Sequence, residues 1–229
     1  MFWDSTYILV IIGALICAIA SFNVNATYRK YSRVMSERGL TARDCAEAIL
    51  RSAGIDDVRI EHVRGNLTDH YSPSERVLRL SDSVYNSTSV AAIGVAAHEC
   101  GHAIQHQEDY APLKLRTLSV PAANFGSFLS WPVIVIGLIL GKPNIAQIGV
   151  VLFSLVVLFQ LITLPVEFNA SARALRVLEG QNLLVGNEMD GARKVLKAAA
   201  LTYVAALFSS ILQLLRLILI TQGSGRRRD

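Results

Sequence analysis

Four stretches of this chain are too apolar and too long for an ordinary water-soluble core, and any fold must first accommodate them. The first, "YILVIIGALICAIASF" (residues 7–22), reaches spanning length with its flanks. Residues 125–140, "FGSFLSWPVIVIGLIL", and residues 148–166 are separated by a break at "GKPN", so they read as a tight transmembrane hairpin. Pro132 is tolerable in such a helix and could kink it. The last block, in "LKAAALTYVAALFSSILQLLRLILI", could also span, with Arg216 close enough to its end to snorkel. Composition agrees, since 52% of residues are hydrophobic and 17% charged, against roughly 25% charged in soluble domains.

Charge placement sets the expected orientation. The chain opens "MFWDSTY", without a basic residue, whereas Arg29, Lys30 and Arg33 follow the first block. That pattern fits an uncleaved anchor with its N-terminus outside and its C-terminal flank in the cytoplasm. If the first three blocks all span, the segments carrying Lys114, Arg116, Arg173, Arg176, Arg193, Lys194 and Lys197 share that side. A spanning fourth block would send the "GRRRD" tail outside, against the positive-inside tendency. Either the earlier loops dominate, or the last block is kinked or partly interfacial; four spans are expected. These flanks account for the net charge of +4, so nucleic acid is not an expected partner. Cys17, Cys45 and Cys100 are odd in number and scattered, which suggests no disulfide framework and a reducing compartment.

The expected organisation is a span at 5–24, a cytoplasmic α+β region at 27–116, the hairpin at 125–166, a cytoplasmic helical region at 167–197 and a transmembrane or partly interfacial helix at 198–220. In the α+β region, "GLTARDCAEAILRSAG" predicts a helix with Thr41 as N-cap, Asp44 at the third position and Gly54 as its stop. "DVRIEHV" and "RVLRLS" predict short strands around a polar turn, "GNLTDHYSPSE". A second helix is predicted from about Ser89 to Gln107. The expected fold class is a mainly α membrane protein, with about four transmembrane helices and a small α/β metalloprotease-like cytoplasmic domain.

That second helix contains "GVAAHECGHAIQHQ", Gly94 to Gln107. His98 and His102 are four apart, one above the other and separated by about 6 Å of rise, so both imidazoles can reach one zinc ion. Glu99 projects about a third of a turn away, missing the ion yet able to reach a water activated there as general base. The bland alternative is an ordinary amphipathic helix, but two histidines and a glutamate among "AIGVAA" and "AI" are costly to bury unpaired. His106 continues the series, but roughly 12 Å of rise from His98 is too far for one ion. Its spacing also misses the extended H-E-x-x-H-x-x-G-x-x-H pattern. His106 and Gln105 are therefore expected to be structural or to line the cleft edge. Cys100 as a nucleophile is disfavoured, because it points away from His98.

The third ligand must be distant in sequence. Glu167 is the best candidate, since it follows Pro165 after the third apolar block and the hairpin returns the chain to where it left. Read alone, Glu167 could instead be a helix N-terminal carboxylate favourable to the dipole. Glu179 and Glu188 are less well placed. His70 or Tyr71, in the polar turn, could donate to an oxyanion or touch substrate. Residues 76–81 could offer a strand edge for an extended substrate. Arg173 could pair with a site carboxylate or face solvent.

Together, "AAHECGHAIQH", "LPVEFNASARAL", "GARKVLKAAALTYVAA" and "LTDHYSPSERVLRLS" resemble the neutral zinc metallopeptidases of the bacterial YugP type, more distantly similar to the HtpX-type membrane gluzincins. The resemblance covers nearly the whole chain. It implies a membrane protease with Zn2+ held by His98, His102 and Glu167, and Glu99 as catalytic base. The wider group shows E-x-x-A-D at the second motif, whereas here Glu167 to Ser171 reads E-F-N-A-S. Ser171, or Asn169, would then orient a zinc-binding imidazole in place of the acid. The expected function is zinc-dependent peptide-bond hydrolysis at the cytoplasmic side of a bacterial plasma membrane, on a membrane-associated polypeptide. Two alternatives are a zinc-binding scaffold or chaperone-like protein and a zinc hydrolase acting on a non-peptide bond.

Overall fold

The computed structural model describes residues 5–226, with side chains described to residue 222. The "GRRRD" tail, on which the charge conflict turns, lies largely outside the described residues. Among the described residues, six helices and three short strands follow one another: α1 (Tyr7–Tyr31), α2 (Ala42–Ser52), β1 (Arg59–Val63), β2 (His70–Ser72), β3 (Val77–Ser81), α3 (Val90–Gln107), α4 (Ala111–Ile139), α5 (Pro143–Gly180) and α6 (Asn187–Arg226). Helices α1, α4, α5 and α6 are each long and apolar enough to cross a membrane. The chain is thus a mainly α, multi-pass membrane protein with a small mixed sheet.

The chain divides into two compact units. One comprises the described residues of Met1–Ser21, Lys114–Leu164 and Leu201–Asp229. It is built from the apolar helices, with Ile134, Val150 and Leu217 buried together. Small residues set its close approaches. A Cβ on Gly13 would strike Ser209, and one on Gly137 would strike the backbone of Ala146 across the hairpin. The hairpin turns as its sequence dictates, with Gly141 at φ +61° and Pro143 opening α5, where its missing N–H costs nothing. Pro132 sits within an unbroken α4. Arg216 does not snorkel to an open surface. It is 9% exposed, with its guanidinium 4.1 Å from the Tyr7 ring centroid.

The other unit, Phe22–Leu113 with Pro165–Ala200, holds the sheet and α3. Thr41 and Asp44 form a reciprocal capping box at the start of α2, and Gly54 at φ +67° follows its end. The apolar face of α2 (Cys45, Ile49, Leu50) packs with Leu78 and Leu80 of β3, Ile93 and Ala97 of α3, and Leu178 of α5. Between β1 and β3, the expected turn contains a third strand, β2. Its three residues are too few to show an alternating pattern. Strand order is β1-β3-β2, with β1 parallel and β2 antiparallel to β3. The edge expected at residues 76–81 is therefore filled. β3 is the central strand, and both its sides are paired.

Pro165 does not end the helix. α5 runs unbroken through it to Gly180, so Glu167 lies inside a helix rather than at its N-terminus. A proline deep in a helix forfeits one backbone hydrogen bond without terminating it when tertiary packing holds the flanks. Thr41→Ala removes the N-cap acceptor and should lower stability by about 1 kcal/mol, readable as an earlier unfolding transition in detergent.

Candidate metal centre

Ser89 caps α3 by accepting from the Ala92 amide, and the helix then carries His98, Glu99 and His102 inward. Small residues build its face. Gly101, between the two histidines, is where α5 comes closest. A Cβ there would fall onto the Ala170 carbonyl oxygen, so only glycine admits the α5 backbone at this level. That approach delivers Glu167, which is 69 residues beyond His98 and 2% exposed.

Glu167 Oε2 lies 3.2 Å from His98 Nε2 and 3.7 Å from His102 Nε2. The potential ligand atoms of the three residues all fall within 4.8 Å of one another. A tetrahedral zinc with bonds of about 2.0–2.1 Å sets its donors roughly 3.4 Å apart, so this donor set fits the ion in size and chemistry. Each imidazole also turns its Nε2 toward Glu167 and engages its Nδ1 elsewhere, as metal-ligating histidines do. His98 Nδ1 lies 3.1 Å from Ser171 Oγ, and His102 Nδ1 lies 3.0 Å from Gln105 Oε1. The rings meet edge to face, with centroids 4.8 Å apart.

Glu99 is held by the sheet. The backbone N–H of Tyr71, on β2, donates to Glu99 Oε2 at 3.0 Å. Desolvation dominates its environment and raises its pKa, despite the opposing pull of the two histidines. For His102, burial acts to lower the pKa, but the Glu167 hydrogen bond and the nearby carboxylates prevail and raise it.

The remaining candidates are placed as follows. Tyr71 Oη lies 2.8 Å from His106 Nδ1, so His106 partners a phenol and stands outside the His98–His102–Glu167 cluster. His70 is exposed and bonds the Thr68 carbonyl through Nδ1. Asn169 bonds Gln105 and Arg173 rather than an imidazole. Arg173 pairs with Glu108 at 2.6 Å, which is neither a site carboxylate nor open solvent. Glu188 is buried and accepts from the amides of Glu37 and Val185, tying down the start of α6. Cys100 faces α2, its thiol 3.8 Å from the Ala46 carbonyl and its pKa raised by burial, which leaves it no nucleophilic character. The residue undervalued by sequence reasoning is Gln105. It is fully buried against His102, and the available signal was its position three residues further along the same helix face.

Residues 6–222 match the family described as "Putative neutral zinc metallopeptidase". The chain belongs to this family. It is also 49% identical over 201 residues, 88% of this chain and 89% of the relative, to the "Putative membrane protease YugP" of Bacillus subtilis (strain 168). No solved structure matches it. Within this family member, the second-motif position taken by an acid in the wider group is Ser171, whose hydroxyl meets His98.

Two outcomes follow. Gly101→Ala should destabilise the protein by about 1–3 kcal/mol, because α3 and α5 must part; chemical unfolding in detergent reads this. Glu99, with its folded pKa raised, contributes stability that is intact below the ordinary carboxyl value of about 4.3 and lost as pH rises through the folded value. In chelator-treated protein, Glu99→Gln should therefore raise the melting temperature at pH 7, and that gain should vanish toward pH 4.

Proposed function

We propose that this chain is a membrane-embedded zinc metallopeptidase that hydrolyses peptide bonds, with zinc held by His98, His102 and Glu167 and with Glu99 as general base. The observation that carries this reading is the convergence of three donors from α3 and α5, His98 half-buried and His102 and Glu167 buried, within 4.8 Å, beside a carboxylate of raised pKa. When bound, zinc supplies Lewis acidity that makes water a stronger acid and polarises the scissile carbonyl. Glu99 takes the proton from the attacking water and returns it to the departing amine. A carboxylate of raised pKa serves both transfers better than an ordinary one near neutral pH. The Tyr71 amide holds Glu99 through Oε2, which leaves the carboxylate lone pairs to accept that proton. Of the two oxyanion candidates, Tyr71 is better supported than His70, because its own backbone adjoins Glu99 while His70 turns away to Thr68. Ser171 orients His98 through its Nδ1.

The site is assigned to the cytoplasmic side of a bacterial plasma membrane, and the substrate to membrane-associated polypeptides. Support comes from Arg29, Lys30, Arg33, Arg173, Arg176, Arg193, Lys194 and Lys197, which all belong to the same stretches of chain as the site. The Bacillus subtilis relative is named as a membrane protease, which supports a bacterial membrane setting.

Metal analysis of detergent-purified protein tests the ligand set. Glu167→Ala should lose zinc and His106→Ala should retain it; the reverse pattern would overturn the assignment. Glu99→Gln should keep its zinc while peptide turnover falls by about 10²–10⁴-fold. Undiminished turnover would remove Glu99 from the chemistry.

A further inference from the structure

The two histidines of the centre are held by partners of different kinds. Ser171 can donate or accept, so its hydroxyl fits either protonation pattern of His98. His102 meets an amide whose orientation is dictated from further away. Gln105 Nε2 donates to the Val166 carbonyl at 2.8 Å and to Asn169 Oδ1 at 3.0 Å. A carbonyl can only accept. Asn169 Oδ1 is also fixed as an acceptor, because Arg173 Nε donates to it at 2.7 Å and arginine has no acceptor to offer. Arg173 is in turn anchored by Glu108 at 2.6 Å and lies over the Tyr110 ring, 5.7 Å from its centroid. Turning the Gln105 amide over would set its oxygen against two oxygens and its NH2 against His102.

We propose that Gln105 is a positioning residue, locked by Asn169 and Arg173, which holds His102 with its proton on Nδ1 and its Nε2 lone pair free for the metal. The donors converge on Asn169 Oδ1, from His102 Nδ1–H through Gln105 on one side and from Arg173, which also pairs with Glu108, on the other. It also joins the two ligand-bearing helices next to the third ligand, since Val166 immediately precedes Glu167 in α5. His102 is thus prepared before metal arrives, whereas His98 adjusts. This assignment rests on the zinc-site reading above and adds a residue outside its ligand set.

The geometry separates positioning from scaffolding. In Gln105→Leu, the Val166 carbonyl and Asn169 Oδ1 each lose one donor but stay engaged, in the helix and by Arg173, whereas His102 Nδ1 loses its partner. Fold stability should fall less than in Gln105→Glu, while zinc affinity by chelator competition falls about 10–100-fold, the usual effect of removing such a partner. Gln105→Glu retains an acceptor for His102 but sets a carboxylate against two oxygens. Its affinity should stay within a few-fold of wild type while its melting temperature drops. A purely structural Gln105 would move stability and affinity together in both variants, and that result would overturn the proposal. So would wild-type affinity in a folded Gln105→Leu. A third measurement needs no variant. In 15N-histidine-labelled, metal-free wild type, His102 Nδ1 should keep its proton by NMR whether or not Nε2 also donates to Glu167. A neutral His102 protonated on Nε2 alone would reject the proposal. This spectrum remains decisive even if the wild type takes up no zinc at all, a result that would sink the metallopeptidase reading instead.

Discussion

The close passage of α5 across Gly101 is the contact on which the centre depends. Two histidines one helical turn apart give a pair of donors and nothing more. The third donor must come from another helix, and a carboxylate as short-reaching as Glu167 requires the backbones to nearly touch. The Ala170 carbonyl sits where a side chain on Gly101 would be, and that space lets Glu167 come within 3.2 Å of His98. The glycine inside H-E-C-G-H is thus a packing device as much as part of a motif.

Burying so many polar groups is expensive unless each finds a partner. Around this centre they do. Glu99 takes a backbone amide, His98 a hydroxyl, His102 a side-chain amide, and Gln105 uses both ends of its own amide. These bonds draw on α3, α5 and β2, so the site is woven into the elements that also form the core around Ile49, Leu78 and Ile93. Glu99 is the member that remains under strain, as an ionisable group whose burial opposes the charged form it uses as a base. Activity and stability pull apart most clearly at that residue.

Much of this was legible in the chain itself, and for local reasons. The four apolar helices follow from composition over some twenty residues. The start of α2 follows from Thr41 and Asp44, and α3 from Ser89 and the motif. His98, His102 and Glu167 come together as the hairpin argument expects. What sequence could not supply was pairing between distant segments. β2 was hidden because three residues carry no period, and β3 looked like an edge because nothing local reveals that both its sides are taken. Glu167 looked like the start of a new helix because a proline's local cost is visible while the packing that offsets it is not. Gln105 read as a cleft residue because its partners Val166 and Asn169 lie more than sixty positions away.

The order in which the donors occur along the chain has a consequence for biosynthesis. His98 and His102 are translated first, and Glu167 only after the residues that make up α4 and the apolar part of α5. A nascent or stalled chain therefore holds two imidazoles without their carboxylate, a weak and incomplete claim on any metal. The centre can close only once both intervening helices have been made. Synthesis of the hairpin therefore precedes any finished centre, and a chain stalled before Glu167 has two imidazoles and no carboxylate.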